Sequence, residues 1–224
     1  MLDYIYRLLY MIPIAIISLS VHESAHGYVS YKLGDPTARN LGRITMNPFK
    51  HFDLLGFVCM VLFRVGWAKP VPVNARYYKN PRVGMAICAA AGPVSNLLLA
   101  FIGVIGSKST YLAITLLFKT VADTQTFGFF VAATIYNFFY LFALCNISLA
   151  LFNLFPVPPF DGSRILYVFL PPKYYFGIMK YERYIMLGML ALFYIGVFDK
   201  PLSLATNAIM NGMTALVELI PIFR

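Results

Sequence analysis

The chain has 224 residues, 60% hydrophobic and only 12% charged, against about 25% charged in a soluble domain, so an ordinary water-soluble protein is excluded and an integral membrane protein is indicated. A formal net charge of +9 would suit a nucleic-acid binder, but nine of the eighteen Lys and Arg lie between Lys32 and Arg82, beside apolar runs and without a basic motif interleaved with stacking aromatics. That placement argues against nucleic acid and reads instead as a cytoplasmic loop under the positive-inside rule.

The first apolar run covers about residues 2–33 and stops at Gly34-Asp35-Pro36, a combination that ends helices. It continues into His22 and His26 with no small-residue cleavage site, so it reads as a retained membrane helix rather than a signal peptide. Inside it lies His22-Glu23-Ser24-Ala25-His26. Ionisable groups in hydrocarbon cost on the order of 3 kcal/mol or more each and are kept there mainly for function. On a helix the two histidines are i and i+4, so both rings point to one face and can share a zinc ion. Glu23 sits close enough to take a proton from zinc-bound water. Such a pattern also arises by chance on soluble helices, but two of the chain's three histidines occupy it here, in an apolar setting that favours neutralisation by a metal.

From Thr37 to Arg82 short alternating pieces are broken by Pro48, Pro70, Pro72 and Pro81, and the apolar stretch Leu54 to Phe63 is too short for an ordinary span. This segment is expected to form a small β-rich or re-entrant layer at the cytoplasmic side. A second span is expected at about 83–105, with the small residues Cys88-Ala89-Ala90-Ala91-Gly92 allowing another helix to approach closely. Tyr111 to Ala122 reads either as a short extracytoplasmic helix or as part of a span. A third core span covers about 127–170 and is interrupted after Leu154 by the prolines of Phe155-Pro156-Val157-Pro158-Pro159-Phe160. Accessory spans are expected at about 184–198 and 202–222. The whole reads as one α-helical polytopic membrane domain over 1–224 with about five to six transmembrane helices. Cys59, Cys88 and Cys145 are odd in number and far apart, which indicates neither a disulfide framework nor a thiolate zinc site.

A catalytic zinc normally has three protein ligands and an open position for water. His51 is the remaining histidine, and it reads as a surface residue facing the cytoplasm. Asp161 follows the broken helix; from its surroundings alone it can be either the third ligand or the N-cap of a helix starting near Gly162.

The HExxH run, together with Asn153-Leu154-Phe155-Pro156-Val157-Pro158-Pro159-Phe160-Asp161-Gly162, resembles the paired signature of the site-2 protease family of intramembrane zinc metalloproteases. Asn47-Pro48-Phe49-Lys50-His51-Phe52-Asp53, Gly66 to Asn74 and Ala91-Gly92-Pro93-Val94-Ser95-Asn96 resemble stretches of compact bacterial and archaeal members. The resemblance implies that Asp161 is the third ligand of one Zn2+ per chain, and that Glu23 is the general base. The chain looks like a minimal core without the PDZ domains or CBS pair of larger members. The implied partners are transmembrane protein or peptide substrates and the lipid bilayer, in the prokaryotic cell (inner) membrane with the active site toward the cytoplasmic side.

Two asparagines complete the expectation. Asn96 can donate a hydrogen bond to the developing oxyanion, as the resemblance suggests, or join two helices. Asn153 can orient the substrate backbone or cap the broken helix. The alternative to a protease is a membrane zinc-binding or zinc-transport protein, in which Glu23 would have no reason to be a base.

Overall fold

The computed structural model describes residues 2–51, 53, 56, 69–120, 122–171, 177–178 and 180–223, with backbone alone for 2–8. Helix α1 runs without a break through Leu2–Lys32, past Pro13. Ile14, Ser18, His22 and Ser30 are buried along it at multiples of four residues, one face of a helix. The helix stops at Gly34, whose φ of 104° is left-handed. There the Gly34 amide donates to Tyr31 O and the Asp35 amide to Ser30 O, at 3.1 Å each. This is the paired closure that satisfies the last carbonyls of a helix, and it explains why the sequence signal for the stop is reliable.

Asp35 then ties the end of α1 to the segments around Thr37 and Asn74. One carboxylate oxygen accepts from the Thr37 amide and hydroxyl, and the other from the Ser30 hydroxyl and the Asn74 amide. Burial opposes its charge, but these hydrogen bonds hold its pKa below the ordinary carboxylate value.

After α1 come the four-residue α2 (Thr37–Asn40) and two 3₁₀ turns, Pro48–Lys50 and Ala75–Tyr77. The expected β-rich layer has no strand among the described residues, and residues 57–68, a large part of that expected layer, lie outside them. Between the turns, Lys69–Asn74 crosses α1 as an irregular strap. Pro70 and Pro72 carry no amide hydrogen, which limits the pairing such a segment can make.

Helix α3 (Pro81–Leu117) begins with Asn80 capping the Val83 amide and Pro81 in the first turn. At 37 residues it is about 55 Å long and absorbs most of the ambiguous 111–122 segment. It packs along α4 (Phe127–Asn153), which is capped by Thr126. The contact is close because Gly103 faces the Ala143 backbone and Gly106 faces the Phe139 ring; a Cβ on Gly103 would lie 2.9 Å from Ala143 N. Helix α1 lies against α3 on another side.

A short α5 (Asp161–Leu166) follows the proline break, then α6 (Glu182–Tyr194) and α7 (Asp199–Glu218). Val217 of α7 packs with Val104 and Ala143, and Glu218 pairs with Lys108 of α3. By length and composition, two helices among the described residues, α3 and α4, can cross a membrane, and a third span exists if α6 and α7 count as one. This is fewer than the five to six expected. The two accessory runs form α6, with only 13 residues or about 20 Å, and α7, and the two helices meet at an 81° bend where Gly196 adopts φ 80°.

Candidate metal centre

His22 and His26 project from α1 toward α3, one turn apart, as the i, i+4 spacing requires. The third group arrives from the other end of the chain. Helix α4 ends at Asn153, and α5 starts at Asp161, tucked against that end: a Cβ on Gly162 would sit 2.2 Å from Leu154 O and 2.4 Å from Phe155 O. Only glycine permits this approach. Phe152, Phe155 and Phe160 also pack with Phe193 and Phe198 at the α6–α7 bend, with ring centroids of neighbours 4.4–6.5 Å apart. The loop carrying Asp161 is therefore held on both sides. Although Asp161 opens a helix, its side chain does not cap it; it turns to the histidines.

Asp161 Oδ2 lies 3.2 Å from both His22 Nε2 and His26 Nε2, and the two nitrogens are 3.0 Å apart. The hydrogen on each Nδ1 follows from the partner of that nitrogen. Cys88 O can only accept, so the 2.7 Å contact to His26 Nδ1 makes that nitrogen the donor. For His22 the chain of inference starts at Phe142 O, which accepts from Asn146 Nδ2 at 2.9 Å. Asn146 Oδ1 must then accept from Asn96 Nδ2, at 2.8 Å, which leaves Asn96 Oδ1 to accept from His22 Nδ1 at 2.5 Å. Both Asn96 and Asn146 are fully buried.

With a hydrogen on Nδ1 alone, as metal ligation requires, the two rings would turn their Nε2 lone pairs toward each other and toward a carboxylate oxygen that is buried and has no hydrogen-bond partner among the described residues. Three lone pairs converging in this way can together hold one metal cation. A tetrahedral zinc with bonds of about 2.0–2.1 Å has ligand–ligand edges of about 3.3 Å, and the observed triangle needs to open by only a few tenths of an ångström. The donor set and the anchored outer nitrogens therefore fit zinc.

Gly92 of α3 completes the cradle. A Cβ there would lie 2.4–2.5 Å from His22 Cε1, His22 Nε2 and His26 Nε2. Neither Gly92 nor Asn146 stands out in the sequence as a site residue: the glycine belongs to a run of small residues, and the only signal for Asn146 is a polar side chain in an apolar helix.

Glu23 faces the Lys69–Asn74 strap, and its Oε2 accepts the Val71 amide at 2.8 Å. Val71 is buried against Gly27, one turn further along α1. Asn153 is not drawn into the centre; its Nδ2 donates to Leu149 O in its own helix at 2.9 Å. Both arms of Asn96 are taken up by His22 and Asn146.

The surface position expected for His51 is overturned: it is only 3% exposed. Its ring nitrogen Nε2 donates to Thr45 O at 2.9 Å, and the Ser24 hydroxyl donates to the same carbonyl at 2.6 Å. His51 thus fastens the loop after α2 to α1 at a residue between the two histidines of the centre.

The model of peptidase family M50 matches residues 10–195. The chain is 38% identical over 187 residues to Putative zinc metalloprotease YwhC of Bacillus subtilis, covering 82% of this chain and 80% of that protein. It is 31% identical over 114 residues to Putative zinc metalloprotease MJ0611 of Methanocaldococcus jannaschii, covering 50% of this chain and 49% of the relative. No solved structure matches.

Proposed function

The chain belongs to peptidase family M50, and from that premise we propose that it is an intramembrane zinc metalloendopeptidase of the site-2 type. It hydrolyses peptide bonds within or near transmembrane segments of membrane-protein substrates. The observation that carries this reading is the convergence of His22, His26 and Asp161 at 3.0–3.2 Å on helices of a membrane protein, with each imidazole anchored from behind.

In this reading His22 and His26 hold zinc through Nε2 and Asp161 through Oδ2. The bound ion supplies Lewis acidity toward water and the peptide carbonyl. Glu23 is the proton carrier. Its Oε2 is committed to the Val71 amide, which fixes the carboxylate plane and leaves Oε1 to take the proton of the attacking water and pass it to the leaving amine. Asn96 is better read as a positioning residue than as an oxyanion donor, because it sets the His22 tautomer from one arm and is itself set by Asn146 from the other. Asn153 is read as an element of the helix end that carries the Asp161 loop.

Helix α1, about 46 Å long, is proposed to cross the bilayer with α3 and α4, which sets the metal at membrane depth. The basic loop between Lys32 and Arg82 then faces the cytoplasm. Single cysteines at Lys50 and Lys79 should be silent to an impermeant thiol reagent applied to intact cells and should label after permeabilisation; labelling from outside would invert the orientation.

The direct test of the function is metal-dependent cleavage. Purified protein should contain one zinc per chain and cut a transmembrane substrate, lose cutting when stripped by a chelator, and regain it on zinc addition. Cleavage that survives complete removal of the metal would refute the reading.

A further inference from the structure

On the proposed cytoplasmic side an open cleft of about 400 Å³ is lined by Leu41, Arg43, Phe49, Lys50 and Lys69. We propose that it binds the phosphate of an anionic phospholipid headgroup, a role that does not depend on the peptidase chemistry.

The argument starts from Arg43, which is 9% exposed and therefore pays to keep its charge out of water. Its Nη2 donates to Lys69 O at 2.7 Å and Pro70 O at 3.2 Å, and its buried Nε has no partner among the described residues. Neutral carbonyls orient a guanidinium but do not neutralise it. Lys50 and Lys69 add two further positive charges to the same cleft. None of the three forms an ion pair among the described residues.

The nearby acids are engaged elsewhere. Glu23 is bonded to Val71, Asp35 to Ser30, Thr37 and Asn74, and Asp53 to the Gly56 amide. The sequence from Leu54 to Ala68 contains no Asp or Glu. Among the described residues no carboxylate pairs with these three cations, so the cleft presents positive charge that an external anion can balance. A phosphate suits the set, since its several oxygens can meet a guanidinium and two ammonium groups together.

The rim selects a lipid over a free anion. Phe49 is 85% exposed and Leu41 58%, two large apolar side chains beside a cationic cleft. A soluble phosphate would leave both in water, whereas a lipid covers them with the boundary between headgroup and acyl chain. Arg43 grips the carbonyls of Lys69 and Pro70, and the next amide, Val71, is the one held by Glu23, so an occupant of the cleft steadies the same strap that fixes the proposed base.

The test is native mass spectrometry of the full chain in detergent with phosphatidylglycerol, phosphatidylcholine or inorganic phosphate. Phosphatidylglycerol should be retained preferentially. The double variant Lys50→Gln, Lys69→Gln should bind it about thirtyfold more weakly, taking two lysines near a membrane surface at their usual worth. A charge-matched control, Lys180→Gln with Lys200→Gln, should bind as the wild type does. Phe49→Ser should weaken phosphatidylglycerol binding and spare inorganic phosphate. Unchanged lipid retention in the double variant, equal retention of the two lipids, or equal weakening in the control would overturn the site. Binding of inorganic phosphate as tight as that of lipid would overturn the lipid assignment. Thermal unfolding at the wild-type temperature keeps misfolding from imitating the loss.

Discussion

Glu23→Gln should abolish cleavage of a transmembrane substrate while leaving both the zinc content and the fold as they are. The substitution is nearly isosteric, and the amide oxygen of Gln can still accept the Val71 N–H that Glu23 Oε2 accepts at 2.8 Å, so the strap stays pinned. The three ligand atoms are untouched. Only the ability to accept a proton is lost, and general-base assistance is typically worth about 10²–10⁴ in rate, or about 3–5 kcal/mol. The variant should bind substrate and hold it uncut. Metal analysis beside a cleavage assay reads both halves of the expectation. Cleavage near the wild-type rate would remove Glu23 from the mechanism even with the zinc site intact, and a zinc transporter would show no rate to lose.

How much of this was legible in the sequence depended on distance along the chain. The His22–His26 pair lies within one helix, where i, i+4 geometry follows from the backbone alone, and the stop at Gly34 is a local conformational requirement. Asp161 was ambiguous from its neighbours, because a carboxylate after a proline break caps a helix as readily as it binds a metal. Placing it near the histidines needs the tertiary fold, and the sequence suggested that only through a family resemblance.

The features that escaped sequence reasoning are of two kinds. Hydropathy counts apolar residues but is blind to bends, so the two accessory runs carry no sign in the sequence of the elbow at Gly196. His51 sits in a stretch rich in charge and proline, which argues for a surface, but one backbone carbonyl, Thr45 O, draws its ring and the Ser24 hydroxyl to the same point. Such a contact leaves no trace in composition. Asn146 is similar: it reaches the candidate metal centre only through Asn96 and His22, two hydrogen bonds along from its own side chain.

Gly92→Ala should cost the protein its metal, although it adds one methyl group and no charge. The new Cβ would lie 2.4 Å from His22 Cε1 and 2.5 Å from both His22 Nε2 and His26 Nε2, below any contact real Cβ atoms tolerate. Something must move, and the rings have little freedom: His22 is tied to Asn96 and His26 to Cys88 O through their outer nitrogens. If the rings swing away, those bonds break and the Nε2 lone pairs no longer converge. If instead α3 shifts, its close contact with α4 at Gly103 and Gly106 opens. Overpacking of this kind costs about 1–3 kcal/mol, and disturbing groups that orient metal ligands typically lowers affinity 10–100-fold. The ligand atoms themselves are displaced here, so zinc affinity by chelator competition should fall at least that far, with cleavage falling alongside. Gly188→Ala is the matched control, since a Cβ there meets nothing within 4 Å, and it should leave both unchanged. Wild-type zinc affinity in Gly92→Ala would mean that the histidines reach the metal along a path different from the one drawn by α1 and α3.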